Sequence, residues 1–187
     1  QRLGQAVQRR AAFIQFLLVA VKFNIHKENL PLYKTFRYII AEKMDSIEHN
    51  IVIGIENMHM TKNDTPDDSR RFGYIPEECL IFMNMLSGKT KHKGGINFDI
   101  GHARNNAPFS QSYQISTWLS MLGRYIVGYH MHQVAYENGK FENHMPITDI
   151  YGKLISYSSF FRCWAEDRVN KAPLIFEMRP EGAYETT

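Results

Sequence analysis

Five stretches of the 187-residue sequence read as strands and end on side chains able to hold a cation: His26, Glu56, Asp99 with His102, His130 with His132, and Glu177. An ordinary strand end needs only a turn residue, and a charged group at a buried strand end is costly unless it is paired or bound to an ion. Three carboxylates and an imidazole form a mostly hard four-ligand set with room for water and substrate oxygens. It suits one divalent ion, Mn, Mg, Co or Zn. Taken singly, each residue has a plainer reading: His26 as a loop or helix contact, Glu56 as a helix-capping acid, Asp99 as a turn residue. Their recurrence at five strand ends carries the metal reading.

For such residues to meet, the strands must run parallel, with their C-terminal ends on one face. Apolar residues spaced three and four apart from Leu3 to Leu18 predict a helix over 2–18, and alternation predicts a strand over 21–26. Pro31 opens a second helix running to Ile47, and 51–57 reads as the next strand. A charged, turn-rich loop over 62–71 leads to a helix opened by Pro76, Glu77 and Glu78, whose acids complement the helix dipole. Then come a strand over 94–101, a helix over about 110–123, a strand over 125–132, a polar loop to about 147, a long helix to about 167 and a strand over 173–178. Strands alternating with helices predict an α/β fold with a parallel sheet covered by helices, whose ligands bind at the C-terminal strand ends.

The size, 21.8 kDa, fits a single domain over 1–187, and 44% hydrophobic with 22% charged residues excludes disorder, collagen and coiled coil. A net charge of +3 disfavours nucleic acid as the main partner. Cys79 and Cys163 lack a CxxC spacing and read as inert helix residues, which fits a reducing, cytoplasmic setting. The longest apolar run, 16–21, falls far short of the roughly 20 residues of a membrane span. Phe98, Tyr129, Trp164 and Phe176 read as core rather than as sugar-stacking platforms, and Met58, Met60, Met83 and Met85 as packing.

Four ordered motifs carry a family resemblance: Ile55-Glu56-Asn57, then Phe98-Asp99-Ile100-Gly101-His102-Ala103, then Gly128-Tyr129-His130-Met131-His132, then Ile175-Phe176-Glu177. The sequence resembles the sugar phosphate isomerase and epimerase family of xylose-isomerase-like TIM barrels, which shares its fold with the type-four apurinic endonucleases. The resemblance covers residues 1 to about 180 and implies a (β/α)8 barrel of which strands four to eight are present. Family barrels run to about 250 residues, so the first three strands are expected in another part of a longer product. Completion by a homo-oligomer is the alternative.

The resemblance implies a sugar isomerase or epimerase that binds one divalent metal through Glu56, Asp99, His130 and Glu177. Glu56 and Glu177 would pass a proton between neighbouring carbons of a sugar, sugar phosphate or related polyol through an enediolate. His102 and Arg179 would orient hydroxyls, Arg104 or Lys27 would meet a phosphate, and His26, His132, Glu142 and His144 would complete the substrate site. Three departures stand out. Gln133 replaces a family acid, which leaves His130 and His132 open as the strand's ligand. Ile147-Thr148-Asp149-Ile150 and Met58-His59-Met60 replace small-residue segments of the endonucleases. A zinc-dependent apurinic-site phosphodiesterase, with His26, Glu142 and His144 as further zinc ligands, is therefore the second reading, and a non-catalytic barrel subunit the third.

Overall fold

The computed structural model describes residues 14–16, 52–59, 73–88, 93–104, 112–137, 140–151 and 154–178. Within them five parallel strands form one sheet in the order β1 (Ile14–Phe16), β2 (Val52–Glu56), β3 (Lys93–Asp99), β4 (Ile126–Met131) and β7 (Leu174–Phe176). Helix α1 (Pro76–Leu86) follows β2, α2 (Ile100–Arg104) and α3 (Ile115–Leu122) follow β3, and α4 (Tyr157–Ala165) precedes β7. The strand order follows chain order, as expected of consecutive strand-helix units.

Each face of the sheet has its own chemistry, set by the period-two alternation of a strand. Along β3, Ile96 and Phe98 enter a buried apolar cluster with Trp118, Leu119 and Leu122 of α3 and Tyr157 and Phe160 of α4. Phe98 stacks on Trp118 at 5.5 Å, and Tyr129 of β4 meets Phe160 at 5.0 Å. The intervening Asn97 and Asp99, also buried, point to the opposite face.

A register shift keeps β4 in step. Ile126 pairs with Ile96, but Gly128 pairs with Asn97, so one extra residue, Val127, is accommodated. Ile126 and His130, four apart, would otherwise share a face; the shift leaves Ile126 in the apolar cluster and sets His130 beside Asp99. Val127 fills the space that side chains at 54 and 95 would need: a Cβ on Gly95 would lie 2.2 Å from Val127 Cγ1 and 2.6 Å from the Tyr125 carbonyl oxygen.

Several sequence expectations are corrected. Residues 14–16, expected in a helix over 2–18, form β1 and pair with Ile53, Gly54 and Ile55. A short apolar run is readable either as a buried strand or as a helix segment, and periodicity cannot separate the two. The expected strand over 21–26 and the helix from Pro31 lie outside the described residues. The polar loop after β4 contains an antiparallel hairpin, β5 (Gln133–Glu137) against β6 (Lys140–Met145). The long helix to 167 is only the nine residues of α4, because the preceding chain turns, with the Tyr151 N–H on Asp149 Oδ1 at 2.8 Å. Phe176, expected in the core, is 57% exposed: β7 pairs only with β4 and lies at the edge of the described sheet. Phe98 and Tyr129 are buried, and Trp164 packs against the cluster, as expected. No helix among the described residues is long and apolar enough to cross a membrane.

Candidate metal centre

Parallel strands deliver their last residues to one end of the sheet, and there Glu56, Asp99, His130 and Glu177 each offer a ligand atom, all within 4.8 Å of one another. Glu56 ends β2 and Asp99 ends β3; His130 lies opposite Asp99 in the β3–β4 ladder. Glu177 follows β7 and is held by its N–H on the Met131 carbonyl at 3.2 Å.

His130 Nδ1 sits where the three carboxylates converge, 2.7 Å from Glu177 Oε2, 3.5 Å from Glu56 Oε2 and 3.7 Å from Asp99 Oδ2. Burial by itself would lower the His130 pKa, but Asp99, Glu177 and Glu56 outweigh it and push it up to about 10. Asp99 shows the reciprocal balance: burial would raise its pKa, yet His102, His130 and His132 hold it well below the usual carboxylate range. His130 holds the Glu177 pKa down as well, against the opposing effect of burial.

The other ring nitrogen of His130, Nε2, lies 3.0 Å from the Asn97 side-chain amide. The amide can present either its donor nitrogen or its acceptor oxygen to the ring. With its oxygen toward the ring, Oδ1, buried and otherwise unpaired, would accept the Nε2 proton. Nδ1 would then carry the lone pair a cation needs.

His102, three residues after Asp99 on α2, donates its backbone N–H to Asp99 Oδ1 at 2.7 Å. Its Nδ1 faces the Asn57 carbonyl at 3.0 Å and Glu56 Oε1 at 3.1 Å. Burial would lower its pKa, but Asp99 and then Glu56 raise it to about 9. Asn57 is completely buried and clamps Asp99 from both sides: Oδ1 accepts the Asp99 N–H at 2.7 Å and Nδ2 donates to the Asp99 carbonyl at 2.9 Å.

The β5–β6 hairpin reaches the same place. His144 adopts φ 62°, a left-handed conformation unusual for a residue with a Cβ, and two hydrogen bonds hold it there. Its N–H donates to His132 Nδ1 at 2.9 Å, and its Nδ1 donates to the Glu177 carbonyl at 3.1 Å. His102, His132 and His144 form a second group of ring nitrogens within 4.8 Å.

Among the other expected site residues, Glu142 lies exposed on β6, and Arg104 donates its Nε–H to the Leu154 carbonyl at 3.1 Å. Arg179, His26 and Lys27 lie outside the described residues. Asn57, Asn97 and Tyr157, whose hydroxyl donates to the His132 carbonyl at 2.7 Å, were not anticipated as site residues. Asn97 was findable from its place two residues before Asp99 on one strand face, and Asn57 from its place beside Glu56; nothing in the sequence marks Tyr157.

Comparison with solved structures shows similarity to a protein of Rhodospirillum rubrum described as a candidate xylose isomerase. The TM-score is 0.59 at 15% identity, over 82% of this chain and 48% of that one. The fold is that of a xylose-isomerase-like TIM barrel. This chain spans about half the length of that structure, and its five parallel strands form part of such a barrel. No family model and no curated protein matches the sequence. In a TIM barrel the C-terminal strand ends are where active sites gather, and the Glu56, Asp99, His130 and Glu177 cluster lies at that end.

Proposed function

We propose that the chain forms the metal-holding half of a sugar isomerase or epimerase, with Glu56, Asp99, His130 and Glu177 as the ligands of one divalent ion. The observation that carries this reading is the convergence of three carboxylate oxygens on His130 Nδ1, a nitrogen with no regular hydrogen-bond partner. The donor set fits Mn, Mg, Co or Zn, and a divalent ion there would supply the charge that polarises a substrate carbonyl.

Glu56 and Glu177 come from strands on opposite sides of β3 and β4, so they approach the site from different directions. One can take the proton from a carbon beside the carbonyl and the other return it. Glu177, with its side chain 42% exposed, is reachable by substrate, whereas Asp99 is sealed and held ionised by its neighbours. His102, its Nδ1 engaged by the Asn57 carbonyl and Glu56, offers its Nε2 to a substrate oxygen. A sugar or related polyol, phosphorylated or not, is the substrate class that suits this chemistry.

The test is metal content by elemental analysis of the purified protein beside Glu56→Gln and Asp99→Asn. One equivalent of Mn, Co or Mg in the parent, lost in both variants, supports the reading and directs a screen of aldoses, ketoses and their phosphates. No divalent metal in the parent would refute it. A second reading, a zinc-dependent phosphodiesterase, draws on the grouping of His102, His132 and His144. It requires two or three zinc ions per chain in the same measurement.

A further inference from the structure

We propose that His132 is a positioning residue, not a ligand: it fixes Asp99 so that a single carboxylate oxygen, Oδ2, faces the metal, and it ties the β5–β6 hairpin to that oxygen's orientation. The inference rests on the metal reading above. His132 is fully buried, and both of its ring nitrogens are engaged. Nε2 lies 3.0 Å from Asp99 Oδ1, an acceptor, so Nε2 carries the proton. Nδ1 also lies 2.9 Å from the Gln133 carbonyl, but the His144 N–H points at it, so Nδ1 presents its lone pair. Neither nitrogen is left for a cation.

Asp99 Oδ1 thereby receives the two shorter contacts, from His132 Nε2 at 3.0 Å and the His102 N–H at 2.7 Å, while Oδ2, 3.3 Å from the same His132 Nε2, lies 3.7 Å from His130 Nδ1. A carboxylate with one oxygen saturated by protein donors offers the other at a defined angle, which is the usual work of a ligand's outer partners. The ring is seated from below as well. A Cβ on Gly101 would stand 1.8 Å from His132 Cε1 and 2.4 Å from its Nε2, so glycine at 101 is a condition of the imidazole's position. The Tyr157 hydroxyl fixes the His132 backbone at its carbonyl.

The experiment measures Mn²⁺ affinity and stoichiometry by chelator competition for the parent, His132→Ala, His132→Gln, Gly101→Ala and the double variant Gly101→Ala/His132→Ala, with the number of bound imidazoles read by pulsed EPR. We expect His132→Ala and Gly101→Ala each to weaken Mn²⁺ by about 10- to 100-fold at unchanged stoichiometry and imidazole count. The double variant should be no weaker than His132→Ala, because the added methyl then enters vacated space. His132→Gln, whose amide can donate to Asp99, should recover part of the loss. Unchanged affinity in both single variants, loss of an imidazole signal in His132→Ala, or strictly additive losses would overturn the positioning role. A second Mn²⁺ abolished by His132→Ala would make the three histidines a metal site instead. A parent that binds no Mn²⁺ would overturn the proposed function, and this inference with it.

Discussion

Asn57 offers the most quantitative test of how the cluster is held. Its side chain is wholly given to the Asp99 backbone, accepting the N–H at 2.7 Å and donating to the carbonyl at 2.9 Å, with no exposure to solvent. Asn57→Ala removes both partners at once. A buried backbone group left unpaired costs about 1–3 kcal/mol, and a water admitted into the vacated space recovers part of that, so the variant should lose about 2–4 kcal/mol. For a chain of this size each kcal/mol lowers the melting temperature by about 2–4 °C, which gives a drop of roughly 5–15 °C. The assay is thermal unfolding followed by circular dichroism, in chelator so that metal binding does not contribute. Asn57→Asp keeps the acceptor but sets a fourth carboxylate beside Glu56 and Asp99, so it should fall at least as far and recover as the pH is lowered. A melting temperature for Asn57→Ala within about 2 °C of the parent would refute the reasoning, since it would mean that the Asp99 backbone does not depend on this clamp.

In chelator, stability should also respond to alkali. His102 and His130 have native pKa values of about 9 and about 10, against 6.5 for a free imidazole, so their contribution is complete below about 6.5 and gone once the pH passes the native values. Melting temperatures measured from pH 6 to 10.5 should therefore fall steadily, and a flat profile would contradict the pairing of these imidazoles with the carboxylates. Gly95→Ala should destabilise strongly, by about 1–3 kcal/mol or more, because the rigid Tyr125 carbonyl stands 2.6 Å from the new Cβ. Gly54→Ala, whose nearest contact is 3.0 Å, should cost less, and urea unfolding of both variants beside the parent measures the difference. Burial and the acids Glu78 and Glu77 push the Cys79 thiol far up, whereas Cys163 is half-buried. A thiol reagent should thus modify Cys163 first in the native protein and Cys79 only on unfolding, an order that peptide mapping would reveal.

Much of the site was legible because strands and helices alternate along the chain. Once the strands are parallel, their last residues must gather at one end, so Glu56, Asp99, Glu177 and the pair His130 and His132 could be named as candidates from type and position, and the family resemblance pointed to His130. Helix α1 was equally readable. Pro76 occupies its first turn, and Glu78 turns back to accept the Gly73 and Tyr74 N–H groups at 2.9 and 3.0 Å. The hairpin was missed although Asn138-Gly139, a strong two-residue turn signal, stands between its strands.

What sequence alone could not decide is which histidine of His130-Met131-His132 stands among all three carboxylates and which touches Asp99 alone. Residues two apart in a strand point the same way, so type and spacing are satisfied by either. The choice came from the register shift at Val127, which sets His130 level with Asp99, and from the hairpin, whose His144 N–H claims His132 Nδ1. Both depend on chain segments distant in sequence. Alternation along one strand determines which residues can share a face; pairing with its neighbours determines which of them meet.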